Sequence, residues 1–183
     1  LKAIPGRLEE FVETVDNYIS LRKTPNSEKK VAIFYYKGPG QNSLTAAGME
    51  VLPSLYNFLK ELRAADYRVE GLPSDEAGFA KLVQRQGAVF GTYAEGAIAD
   101  FIENGNPRLV SAADYEKWSS ETFGPEMAAE TAEAGGEFPG SYLATEDGRL
   151  ALPGVELGNI VLLPQLAAGM GDDEFKIVHG ADT

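Results

Sequence analysis

Lys30-Val31-Ala32-Ile33-Phe34-Tyr35-Tyr36 is the segment that most constrains what this chain can become. It is β-branched and aromatic and shows no alternation of apolar and polar residues. A strand covered on one side reads in a period of two, whereas an unbroken run suits a strand buried on both faces, as in a parallel sheet. A Gly-bearing loop follows, Gly38 to Gly48. A helix is then predicted from about 49 to 65, with Leu52, Leu55, Tyr56, Leu59 and Leu62 on one face. Tyr67 to Leu72 reads as a second strand. Strand, helix and strand at these lengths make a right-handed βαβ unit, with 30–36 and 67–72 as parallel neighbours.

Around that unit the pattern is helical and then β-rich. Residues 5–23 read as an amphipathic helix through Leu8, Phe11, Val12, Val15, Ile19 and Leu21, broken by Thr24-Pro25-Asn26-Ser27. Ser74 is placed to cap a helix carrying Phe79, Leu82 and Val83. Another helix is expected over about 92–103, ending at Asn104-Gly105. Arg108–Val110 is a short strand or lead-in, and Ser111 caps a helix through Tyr115 and Trp118, with Trp118 expected in the core. Tyr142–Thr145, Arg149–Leu152 and Glu156–Leu163 read as short strands, the first two joined at Asp147-Gly148, a hairpin turn signal. The fold class is therefore α/β: a parallel-sheet βαβ core with flavodoxin-like layers, extra helices and a small C-terminal β-hairpin region. Residues 1–28 form an N-terminal helix and linker, and 29–183 the α/β domain.

Composition narrows the function. Acids outnumber bases 28 to 16, giving a net charge of -12, so phosphate backbones are repelled and nucleic-acid binding is not expected. Residues 111–147 hold nine acids and one base, Lys117, and read as a solvated face. The chain has no Cys and one His. Disulfides, thiolate nucleophiles and multi-histidine metal sites within it are excluded, and a cytoplasmic setting fits. No apolar run approaches the roughly 20 residues that span a bilayer. Beginning at Leu1 rather than Met, the sequence reads as a fragment cut at both ends.

Few constellations could carry chemistry. The loop 38–48 follows a strand, where open α/β sheets bind ligands, and Gly38, Gly40 and Gly48 allow close backbone approach. Ser43 stands where G-x-G-x-x-G needs its third Gly, and no P-loop occurs, so ATP binding is not expected. The loop is either a shaped connection or a ligand contact. Asp172-Asp173-Glu174 is a turn or cap cluster, or a weak hard-cation site without the Ca-loop spacing. His179 is a surface residue or a base. No G-x-S-x-G elbow is present.

Two separated regions carry a family likeness. Lys30 to Tyr36, then Gly38-Pro39-Gly40-Gln41-Asn42, then Pro53 to Leu62 and Tyr67-Arg68-Val69 form the first. Pro139-Gly140, Gly158-Asn159-Ile160-Val161, Pro164-Gln165 and Gly169 to Asp173 form the second. Together they resemble the large subunit of cobaltochelatase (CobN) and the H subunit of magnesium chelatase, over roughly residues 29–179. Gly38-Pro39 departs from the family's usual Pro-Pro, Leu44-Thr45 from its I-G, and Leu166 from a Pro. The resemblance implies a parent that binds a tetrapyrrole and inserts a divalent metal, cobalt or magnesium, with ATP hydrolysed by separate AAA+ subunits. It implies that Asn42 and Gln165 lie near the tetrapyrrole cleft and that the metal-site histidines lie beyond Thr183. No catalytic residue, metal site or bound cofactor is carried over to this chain, which is expected to be inactive alone. The alternatives are a non-catalytic flavodoxin-like module that binds a ligand or a protein, and a haem-processing relative.

Overall fold

A computed structural model describes residues 4–35, 45–46, 49–87, 96–135, 138–140 and 143–164. Among the described residues six α-helices and small sheets make up a mixed α/β fold: α1 Pro5–Lys23, β1 Val31–Tyr35, β2 Thr45–Ala46, β3 Met49–Glu50, α2 Val51–Ala64, α3 Glu76–Gln86, α4 Ala97–Asn104, β4 Arg108–Val110, α5 Ala112–Thr122, α6 Pro125–Gly135, β5 Leu150–Leu152, β6 Val155–Leu157 and β7 Ile160–Pro164.

The first strand forms where the unbroken apolar run predicts it, but its neighbour differs from the expected one. β1 pairs in parallel with β7, Val31 opposite Ile160 through Tyr35 opposite Pro164, and β7 pairs antiparallel with β6. The sheet order is β1-β7-β6, and two further two-stranded sheets join β2 to β3 and β4 to β5. Residues 67–72 are not a strand. The reason lies at the end of α2, where Asp66 takes a left-handed φ of 65°. Asp66 N–H donates to Arg63 O at 3.2 Å and Tyr67 N–H to Leu62 O at 3.0 Å. This left-handed helix stop turns the chain away. The segment then runs past the β6–β7 turn, where the backbone N–H of Asn159 donates to Arg68 O at 2.9 Å. Among the described residues this sheet is one parallel pair with an antiparallel edge, and the expected pairing of 30–36 with 67–72 is not formed.

The expected Glu156–Leu163 strand is two strands. Gly158, with φ +68°, reverses the chain between β6 and β7, and a Cβ there would lie 2.6 Å from Arg68 O. Only glycine meets both demands. At Asp147-Gly148 the expected hairpin shrinks to a turn, Gly148 N–H donating to Thr145 O at 3.0 Å, with a single antiparallel bridge between Ala144 and Leu150.

The main core lies on one face of the β1-β7-β6 sheet. Leu55, Tyr56 and Leu59 of α2 and Phe79 and Val83 of α3 pack with Tyr35, Val155, Leu157, Ile160 and Leu162. The Tyr56 and Phe79 rings sit 5.6 Å apart. The opposite face is open: Phe34 is 69% exposed and Ala32 and Glu156 are exposed beside half-buried Val161 and Leu163. Two-sided burial of β1 is therefore not achieved by the described residues. A second cluster gathers Phe101, Leu143 and Ala151. Arg108 and Glu156 join the two regions by an ion pair at 3.1 Å.

Helix caps follow local chemistry. Asp75, not Ser74, caps α3 by accepting from Gly78 N–H at 2.7 Å. Ser111 caps α5 as expected, accepting from Asp114 N–H at 3.1 Å. Trp118 is 42% exposed, which corrects its assignment to the core. α5 buries no residue, and its acids and those of α6 face solvent. α1 forms over the expected range, yet its apolar residues stay exposed. No described helix is long and apolar enough to cross a membrane.

Candidate functional site

Parallel strands in register finish at the same edge of a sheet, and β1 and β7 end with Tyr35 opposite Pro164. A third chain end meets them. Tyr35, 3% exposed, donates its hydroxyl hydrogen to the carbonyl of Gly87, the C-cap of α3. The ends of β1, β7 and α3 therefore meet at one spot, at Tyr35, Pro164 and Gly87. Strand carboxyl ends are where open α/β sheets present their ligand loops. Asn42, Gln165, Gly38, Gly40, Gly48, Asp172, Asp173, Glu174 and His179 lie outside the described residues.

The edge is held together by buried contacts. The Tyr35 ring is locked among core side chains, and burial raises its hydroxyl well above the ordinary tyrosine value. The hydroxyl hydrogen is directed at the Gly87 carbonyl, so Tyr35 positions backbone here. Gly154 N–H donates to Gln86 O at 2.9 Å, tying the end of α3 to the approach of β6. Sequence reasoning missed Tyr35 and Gly87 as an anchor. The available signal was a hydroxyl at the end of an otherwise apolar run, which needs a partner once buried.

The one other described place with shifted ionisation is the turn at Asp147. The Arg149 guanidinium, at 2.6 Å, and the Thr145 hydroxyl hold its carboxyl below the usual range. These contacts staple a turn. Among the described residues no group of three His, Cys, Asp or Glu could hold a metal ion.

The described residues make a mixed α/β fold in which β1, β7 and α3 end at one edge of the sheet. Residues 1–183 match the CobN/magnesium chelatase family, and the chain belongs to that family. It is 26% identical over 183 residues to an uncharacterized protein of Methanocaldococcus jannaschii, covering 99% of this chain and 14% of that protein. It is 34% identical over 73 residues to the chloroplastic magnesium-chelatase subunit ChlH of Oryza sativa subsp. indica, covering 39% of this chain and 5% of that one. The catalytic subunit of cobaltochelatase from Mycobacterium tuberculosis shares its fold with a TM-score of 0.63 at 24% identity, over 87% of this chain and 12% of that one. This chain thus spans a small part of the length of each of these relatives.

Proposed function

We propose that this chain is the part of a metal-chelatase large subunit that supplies one wall of the tetrapyrrole cleft. The observation that carries this reading is the convergence of the ends of β1, β7 and α3 at one sheet edge, with the family-like motifs that hold Asn42 and Gln165 following β1 and β7 in the sequence. Membership of the chelatase family supports a tetrapyrrole as the ligand class. Asn and Gln side chains offer both donors and acceptors. They suit the rim carboxylates and amides of a tetrapyrrole, whose flat ring is apolar. In this reading the divalent metal, cobalt or magnesium, is a substrate. ATP is hydrolysed by AAA+ partner subunits, and the assembly works in the cytoplasm.

An absorbance titration with protoporphyrin IX and with a metal-free corrinoid tests the reading. A saturable spectral shift with one of them is expected, weakened at least tenfold by Asn42→Ala together with Gln165→Ala. A shift indifferent to both substitutions, or none with either ring, would refute it.

A further inference from the structure

The last turn of α3 is held from three directions. A helix leaves its final carbonyls without partners of its own, and here two of them are met from the sheet. Gln86 O accepts from Gly154 N–H at 2.9 Å, and Gly87 O accepts from the Tyr35 hydroxyl. From elsewhere, the Arg85 guanidinium donates through Nε to Asn104 O at 2.8 Å, at the end of α4. Gly154 immediately precedes β6 and Tyr35 ends β1, so both sheet contacts fall on one edge.

Of these contacts only that of Tyr35 belongs to the parallel strand pair. Tyr35 lies opposite Pro164, and Gln165 is the next residue in the sequence. The Tyr35 ring is part of the main core and a Phe ring would fill the same space, so packing alone does not call for the oxygen. That oxygen reaches a backbone carbonyl 52 residues away. Gly87 leaves room for it, since a Cβ there would overlap it. Packed on one side and bonded on the other, this side chain fixes the distance between the ends of β1 and α3. Binding sites lose affinity when the residues that support them loosen. We infer that Tyr35 is a positioning residue for the ligand: through the Gly87 carbonyl its hydroxyl sets the spacing of chain ends on which affinity depends. The inference rests on the cleft reading given above.

Tyr35→Phe removes the oxygen and keeps the ring. In the absorbance titration with protoporphyrin IX and the metal-free corrinoid, run where all variants stay folded, affinity for the ring that binds the wild-type chain is expected to fall about fivefold, the equivalent of one lost hydrogen bond. Gly158→Ala is the stability control. It lies at the β6–β7 turn, at the other end of β7, and is expected to cost at least as much stability while leaving affinity unchanged. A second readout needs no ligand: amide exchange at Gly87 and Gly154 should quicken in Tyr35→Phe relative to the Asn159 amide, which is bonded to Arg68 O at that far turn. Unchanged affinity in Tyr35→Phe, an equal loss in Gly158→Ala, or exchange that quickens equally at all three amides would each overturn the inference and leave the cleft reading standing. No spectral shift with the wild-type chain would refute the cleft reading, and the positioning role with it.

Discussion

Replacing Gly87 by Ala should be costly for a reason unrelated to backbone freedom. Gly87 has φ -110°, which any residue adopts, so the chain-entropy effect of Ala alone would be a gain of about 0.4–1 kcal/mol. The added Cβ, however, would overlap the Tyr35 hydroxyl oxygen, with Val83 O at 3.2 Å and Tyr35 Cζ at 3.3 Å. Tyr35 cannot swing aside, being 3% exposed. Overpacking of this kind costs about 1–3 kcal/mol, and the lost hydrogen bond to Gly87 O adds about 1 kcal/mol. The net expectation is a loss of about 2–3 kcal/mol. Tyr35→Phe alone forfeits the hydrogen bond, about 1–2 kcal/mol. In the double variant the overlapping oxygen is gone, so the total should be about 1 kcal/mol, leaving a coupling of about 2–4 kcal/mol between the two sites. Urea unfolding followed by far-ultraviolet circular dichroism measures all four proteins. Additivity within about 0.5 kcal/mol would refute the contact as the cause.

The same tyrosine sets an alkaline limit. Burial raises the Tyr35 hydroxyl, so the unfolded chain gives up that proton from about pH 10 while the folded one keeps it. The stability it contributes is complete below pH 10 and is lost as pH rises. Unfolding of Tyr35→Phe should therefore depend less steeply on pH above 10, by about 1.4 kcal/mol per pH unit. Gly158→Ala should lower stability by about 2–4 kcal/mol in thermal melts, combining a left-handed φ of 68° with a Cβ 2.6 Å from Arg68 O. Titrated by NMR, the Asp147 carboxyl should fall below the usual carboxylate range and rise when Arg149→Gln removes its main partner. Loss of that turn contact is expected as pH drops through the lowered value.

Local signals were legible and distant ones were not. β1, α2 and the Ser111 cap follow from a few adjacent residues, and the structure places them within a residue or two of expectation. The partner of β1 comes from the far end of the chain, and nothing between residues 30 and 72 announces it. Tyr67-Arg68-Val69 has strand-like composition, but the helix stop at Asp66 decides its course. The β6–β7 turn was readable, since Gly158-Asn159 is a turn dipeptide inside a run otherwise taken as one strand. α6 was missed because its acids were read for charge and not for helix-forming character. Trp118 was assigned by its helical spacing with Tyr115, but the half-buried side of α5 runs through Tyr115 and Ser119 and leaves Trp118 exposed. The candidate edge could be placed only in outline, because the register of β1 on β7 defines it and the sequence holds no record of that register.

The sheet is also a clock. Asn159 Nδ2 donates to Ser27 O at 3.0 Å across 132 residues of chain, and β7 sits between β1 and β6. On a ribosome adding about 5–20 residues per second, β1 waits on the order of 10 s for the strand that pairs with it. Once residues 51–86 have been made, α2 and α3 can meet through Tyr56 and Phe79, but their apolar faces have no sheet to rest on until β7 follows. The apolar β1 strand therefore stays unpaired over that interval, and anything that slows synthesis between residues 36 and 160 lengthens it in proportion.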